Sequence, residues 1–268
     1  MGAKITEGCA AVRARTIVDA AKYPWSAIGR VNVASLKSRA HCTGVLIGER
    51  LVLTAAHCLY DKRRRKWVRP ARIHFVAGFQ RGEIVGHAKA ARYIVSNFHD
   101  TTSKTYRHRP QDDWALVELR DPVGLRAGYL GWTALDDASL DRALRSGSQV
   151  ALAGYPAIRP QVLSADMNCK RPHFRQGGAL FVHRCAVMKG DSGAPLLLLR
   201  DGKASVVAVL SGGTASPNGL VSVSVPVASF QAAILRSLGA KHAVEHNGGV
   251  AMHPGRPPIP NSSKQRER

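Results

Sequence analysis

The sequence predicts an all-β fold, a barrel or a sandwich, and three observations carry that expectation. Apolar runs are short, turn residues separate them, and a single segment keeps a helical period. The chain has 268 residues, enough for one or two domains around a large core. In order, the runs fall at 27–33, 43–47, 51–55, 73–79, 114–119, 149–153, 179–182, 195–199, 206–210 and 220–225. Each has the length of a strand rather than of a helix. Between 195–199 and 206–210, Asp201-Gly202 reads as a hairpin turn, because both residues tolerate positive φ. The helix is expected near the end, with Ser229 as cap, Phe230, Ile234 and Leu238 on one face, and Gly239 as stop. Beyond it the chain turns Gly-, Pro- and charge-rich, and 241–268 reads as a disordered basic tail.

Three stretches carry residue types that work as a set. Gly190-Asp191-Ser192-Gly193-Ala194-Pro195 offers a serine between glycines, which permit positive φ and close backbone approach. Leu51-Val52-Leu53-Thr54-Ala55-Ala56-His57-Cys58 ends an apolar strand on a histidine. Asp113-Trp114-Ala115-Leu116 sets a carboxylate at the head of another strand. A serine hydroxyl needs a base to become a nucleophile, histidine titrates near neutrality, and a buried carboxylate can hold its second nitrogen. The amides of Gly190 and Ser192 are candidate donors to an oxyanion. Taken singly, each piece has a plainer reading: a turn, a structural histidine, a capped strand end. Their order along the chain, His, Asp, Ser, favours the set.

These motifs resemble those of trypsin-like serine peptidases, and Tyr23-Pro24-Trp25-Ser26-Ala27-Ile28-Gly29 and Gly154-Tyr155-Pro156 resemble the bacterial glutamyl-endopeptidase-like branch. The similarity runs from about residue 16 to 238. It implies two six-stranded antiparallel β-barrels with a cleft between them and a short C-terminal helix. The first barrel, 23–125, would supply His57 and Asp113, and the second, with the helix at 126–240, Ser192. Residues 1–22 would be an N-terminal segment, such as a propeptide remnant. The substrate would be protein or peptide, hydrolysed by a monomer without cofactor or metal.

The resemblance also pairs Cys42 with Cys58 beside His57. Cys169 and Cys185 bracket a loop of 15 residues, a second candidate disulfide. Cys9 is left over. A zinc site from His41-Cys42 and His57-Cys58 is the competing view, but neighbours on a strand point to opposite faces. Disulfides imply an oxidising compartment, so a secreted or periplasmic protein is expected. The opening Met1-Gly2-Ala3-Lys4-Ile5 shows no apolar signal core. No run is long enough for a membrane helix.

Charge stands apart from these patterns. Lys plus Arg number 39 against 18 Asp plus Glu, a net +21. Lys62, Arg63, Arg64, Arg65 and Lys66 cluster just after His57 on an expected exposed loop. The plain reading is a solvated loop; the sharper one is an anchor for anionic polymers, with Trp67 as a stacking surface. The polar stretch 100–111 is expected as a mobile loop at the cleft edge.

By position relative to Ser192, Ala186 would floor the primary pocket, and Ser211, Gly213 and Gly219 would wall it. No acid stands there, so cleavage after neutral or apolar residues is expected rather than after Arg or Lys. Asp191 could pair with an amine freed by processing near Arg15-Thr16-Ile17-Val18 or upstream of Arg13, or bond only within its own turn. Two functional classes remain: a serine endopeptidase, or a cationic protease-fold binding protein with little turnover.

Overall fold

A computed structural model gives the fold and describes residues 9–33, 41–216 and 219–239. The expected tail at 241–268 and the opening residues 1–8 lie outside these. All ten runs become strands. Strand β1 (Thr16–Ile17) belongs to the N-terminal segment, which opens with a short helix, α1, over 9–13. Six strands then close a barrel: β2 (Ile28–Val33), β3 (His41–Leu46), β4 (Leu51–Thr54), β7 (Ile73–Ala77), β8 (Gly86–Val95) and β9 (Ala115–Leu119), in the order β2-β3-β4-β9-β8-β7. Between β4 and β7 a small hairpin, β5 (Tyr60–Asp61) with β6 (Lys66–Trp67), projects separately.

Alternation decides which side chains fill the barrel. In β7, Ile73, Phe75 and Ala77 are buried while His74 and Val76 are half-buried between them. Full burial of one such side chain is worth roughly 1.5–3 kcal/mol. Strand β8 escapes an apolar-run reading because it turns inward with Ala88 and Ala90 and outward with Lys89 and Arg92.

The second half is larger than a six-stranded barrel. It holds β10 (Gly131–Trp132), β11 (Gln149–Gly154), β12 (Ser164–Cys169), β13 (His173–Arg175), β14 (Leu180–His183), β15 (Pro195–Arg200), β16 (Lys203–Ser216) and β17 (Gly219–Pro226). With β1 they form a nine-stranded sheet, β1-β12-β11-β15-β16-β17-β14-β13, with β10 parallel to β16. The N-terminal segment is therefore part of this half: Thr16 pairs with Ala165 and Ile17 with Ser164. Asp201 and Gly202 make the expected tight hairpin, at φ 50° and 73°.

Three more helices are α2 (Gly124–Ala127), α3 (Asp137–Arg145) and α4 (Gln231–Leu238). Helix α3 departs from the expectation of a single helix, although Leu140, Ala143 and Leu144 keep a helical spacing and Asp136 caps it by accepting from the Ser139 amide at 2.7 Å. Helix α4 corrects the expected cap. Ser229 ends the preceding 3₁₀ turn, and Phe230 precedes the helix without a side-chain cap. Gly239 stops it at φ 77°. Phe230 stacks on Trp114 with ring centres 5.3 Å apart, so the C-terminal helix packs on the first barrel.

Candidate active site

Strands β4 and β9 lie side by side, with Thr54 opposite Ala115. His57 follows β4 on the 3₁₀ turn Ala56–Leu59, and Asp113 precedes β9 after the turn Pro110–Asp112. Antiparallel pairing thus brings the two together. The His57 amide donates to Asp113 Oδ1 at 2.8 Å, and Nδ1 meets Oδ2 at 2.7 Å. Asp113 is fully buried. Its carboxylate also accepts from Ser211 Oγ at 2.6 Å, Tyr106 Oη at 3.1 Å and His108 Nε2 at 3.3 Å. Burial alone would raise its pKa, but the bonds from His108, His57 and Ser211 win and hold it well below the usual carboxylate range. An ionised Asp113 fixes the proton on His57 Nδ1 and leaves Nε2 as the basic nitrogen.

The turn bearing Ser192 depends on two glycines. Gly190 has φ 100°, and a side chain there would run into the Tyr155 carbonyl. Gly193 has φ 81°, and a side chain would strike Thr54 Oγ1 and the Thr43 carbonyl. Within the turn, the amides of Asp191, Gly193 and Ala194 bond to Met188, Leu210 and Asp191 carbonyls. Those of Gly190 and Ser192 have no acceptor among the described residues. These are the two donors expected for an oxyanion.

Thr43, on β3, ties this turn to the first barrel. Its amide donates to the Ser192 carbonyl at 2.8 Å, and its hydroxyl donates to the Gly190 carbonyl at 2.9 Å while accepting from the Tyr155 amide at 3.1 Å. The Cys42–Cys58 disulfide forms as expected, and so does Cys169–Cys185; Cys9 is free. Cys58 Sγ lies 3.9 Å from His57 Nε2 and 3.8 Å from the Ser192 carbonyl oxygen, so imidazole and serine flank one sulfur. The Ser192 side chain stays half-exposed, with no hydrogen bond to His57 in this geometry. His41 Nε2 instead meets the Tyr155 carbonyl at 2.7 Å, and burial lowers its pKa, so it is a neutral donor there.

The residues expected around the primary pocket are partly gathered. Ala186 is buried, its amide held by Asp166 at 2.7 Å. Gly213 sits against Val187 and Ser222. Ser211 spends its hydroxyl on Asp113 rather than on a pocket wall. Gly219 stands opposite Ser216 at the hairpin tip, while Gly213 pairs with Ser222.

A cleft of about 590 Å³ runs past His57, lined by Val31, Val33, Lys62, Arg63, Arg64 and Lys189 among others. A second hollow of about 590 Å³ also meets His57 and touches Lys62, Arg65, Lys104, Tyr106 and His108. The basic cluster therefore rims the site. Trp67, read as a stacking surface, is instead buried: it donates to the Asp100 carbonyl at 3.0 Å and packs on Tyr60, Tyr93, His99 and Tyr106. The same aromatic cluster anchors the 100–111 loop, which delivers Tyr106 and His108 to Asp113.

Four contributors were missed: Arg15, Thr43, Tyr106 and His108. Arg15 is buried, and its guanidinium pairs with Asp191 at 2.8 Å. The guanidinium takes the place beside Asp191 for which an amine freed by processing was one expectation. Asp191 also accepts from the Met188 amide at 3.0 Å, so the turn-internal bond is present as well.

The sequence model of the family described as Trypsin matches residues 17–234. A glutamyl endopeptidase of Bacillus licheniformis is 28% identical over 142 residues, 52% of this chain and 39% of that protein. The chain thus matches well under half the length of that curated relative. A solved Glu endopeptidase superposes with TM-score 0.59 at 18% identity, covering 82% of this chain and 95% of that one. The thermostable serine protease AL20 from an extremophilic microorganism gives 0.59 at 19%, over 77% and 94%. The protease Anisep from Arthrobacter nicotinovorans gives 0.58 at 17%, over 80% and 97%. At such identities the structural likeness speaks for the fold.

Proposed function

This chain belongs to the trypsin family, and on that premise we propose that it is a serine endopeptidase working through an acyl-enzyme. The observation that carries the reading is the doubly held His57, bonded to Asp113 through both its amide and Nδ1, with Nε2 left on the Ser192 side. Ser192 Oγ attacks the scissile carbonyl carbon as His57 Nε2 takes its proton. The oxyanion forms against the amides of Gly190 and Ser192, each such donor typically worth about 2.7–4 kcal/mol. Collapse breaks the C–N bond, and His57 returns the proton to the leaving amine. Water, deprotonated by His57, then releases the acid and restores Ser192. A fluorophosphonate probe tests this: wild type should label and Ser192→Ala should not. Replacing Ser192 or His57 should lower kcat by roughly 10⁶. Unlabelled wild type would end the reading.

For the residue before the scissile bond, Ala186 and Gly213 favour a neutral or apolar side chain, since neither brings charge. The name of the Bacillus relative points instead to glutamate. Matched peptides carrying Leu, Ala, Glu or Arg at that position separate the two. The two disulfides favour an exported protein. Free thiols at Cys42, Cys58, Cys169 and Cys185 in protein from its native source would refute export. The cationic rim favours a second reading, a binding protein for anionic polymers with little turnover; the same labelling experiment discriminates.

A further inference from the structure

We propose that Arg15 is a positioning residue, a built-in counter-ion that holds Asp191 and so the amides of Gly190 and Ser192, making the chain competent with its N-terminal segment still attached. The link to turnover rests on the endopeptidase reading above. The place is built for this cation. Arg15 Nη1 reaches Asp191 Oδ2 at 2.8 Å and the Ala186 carbonyl at 3.4 Å, while Nη2 donates to the Gly154 carbonyl at 3.3 Å and to the Ser164 carbonyl. Both side chains are enclosed, at 1% and 0% exposure. It is the only ion pair Asp191 makes among the described residues.

The backbone around Arg15 is held in place from both sides. Immediately after it, β1 pairs with β12 through Thr16 and Ile17. On the other side, Arg159 donates to the carbonyl of Arg15 itself and to that of Arg13, two residues earlier. Thr16 and Ile17, the first two residues that a cut after Arg15 would leave, are both exposed. Burial pushes the Asp191 carboxyl up, and the guanidinium opposes that shift. A carboxylate enclosed this way needs a permanent cation, because an unpaired buried charge is strongly disfavoured. A guanidinium is a permanent cation in proteins, whereas an α-amine titrates near about pH 8.

The test uses the full chain. Intact mass after fluorophosphonate labelling should show adduct on protein that retains residues N-terminal to Arg15, and kcat should persist above about pH 8. Arg15→Gln should lower kcat by on the order of 10² with little change in KM, as for loss of an oxyanion donor. Arg15→Lys should restore part of it. Hydrogen exchange of the 188–194 amides should quicken in Arg15→Gln, with β2 and β7 unchanged. Adduct confined to chains beginning at or after Thr16 would overturn the proposal, as would Arg15→Gln with wild-type kcat and exchange. If Arg15→Gln does not fold, the adduct mass and the lysine variant decide. Wild type that never labels, beside a loosened turn in Arg15→Gln, would sink the hydrolase reading and leave Arg15 as the holder of the turn.

Discussion

His108 and His57 share one carboxylate oxygen: Nε2 of the first lies 3.3 Å and Nδ1 of the second 2.7 Å from Oδ2 of Asp113. Asp113 raises the pKa of His108 through that bond, against the opposing effect of burial. A base with a raised folded pKa adds stability that is complete below about pH 6.5 and lost as pH rises through the folded value. The same protonated ring draws charge from the carboxylate that stabilises the His57 imidazolium. His108→Gln should therefore gain relative kcat/KM near pH 6, by about two- to five-fold for a half-exposed pair, and match wild type by pH 9. A variant-to-wild-type ratio that is flat with pH would disprove the coupling.

Thr43 bridges the halves through one hydroxyl, to the Gly190 carbonyl and the Tyr155 amide. Thr43→Val keeps the shape and removes the bridge. Leaving those buried groups unpaired should cost about 1–3 kcal/mol in denaturant unfolding. Since the bond steadies the serine turn, kcat should fall while KM stays within error. An equal loss of stability with unchanged kcat would show that the bridge serves folding alone.

Both disulfides close loops of the same separation, 16 positions, so the chain-entropy contribution is about 3 kcal/mol for each. Their settings differ. Cys58 touches His57, and Cys185 adjoins Ala186. Replacing Cys42 and Cys58 by serine should depress kcat beyond the stability effect. Replacing Cys169 and Cys185 should chiefly raise KM and blur selectivity before the scissile bond. Identical kinetic signatures for the two double variants would contradict this division.

His183 is buried with both nitrogens engaged: Nδ1 accepts from the Cys185 amide at 3.3 Å, and Nε2 donates to Ser224 Oγ at 2.8 Å. Desolvation pushes its pKa down to about 3. Between about pH 3 and 6.5 the unfolded chain binds one more proton than the folded one at this site. Stability contributed here is complete above about pH 6.5 and falls with acidification, at up to about 1.4 kcal/mol per pH unit. His183→Gln should flatten the pH dependence of unfolding free energy in that window. A slope equal to wild type would place the acid lability elsewhere.

The run of β4 was legible because both its faces are covered, as its four buried residues show, and that of β7 because Ile73, Phe75 and Ala77 alternate inward. Strand β12 was not, since Ser164, Asp166 and Asn168 interrupt its apolar positions. At the site, His57, Asp113 and Ser192 announce themselves through neighbours within three residues. Arg15 and Thr43 act across 176 and 147 positions, and no local pattern foreshadows such a meeting. His108 sat in a stretch read as a mobile loop. Its role depends on Tyr106 stacking with His99 and Tyr60, which fastens the loop over Asp113.

The charge at the cleft mouth makes the last prediction. Lys62 to Lys66 span the β5–β6 hairpin, where the sole local acid, Asp61, approaches Arg64 at 3.8 Å. That leaves an excess of cations beside His57, on a chain of net charge +21. Cationic side chains that displace counterions condensed on an anionic polymer bind it with a log affinity that falls linearly in log salt, by about 0.9 per phosphate neutralised on duplex DNA. Heparin or DNA columns should retain the protein at low salt and release it steeply as salt rises. Changing Lys62, Arg63, Arg64, Arg65 and Lys66 to glutamine should shorten retention and reduce the slope by up to about 4–5. Cleavage of uncharged peptides should be spared, because these side chains border the cleft without touching Asp113 or Ser192. Retention that survives the fivefold change would assign the attraction to the rest of the basic surface and leave the hairpin a solvated edge.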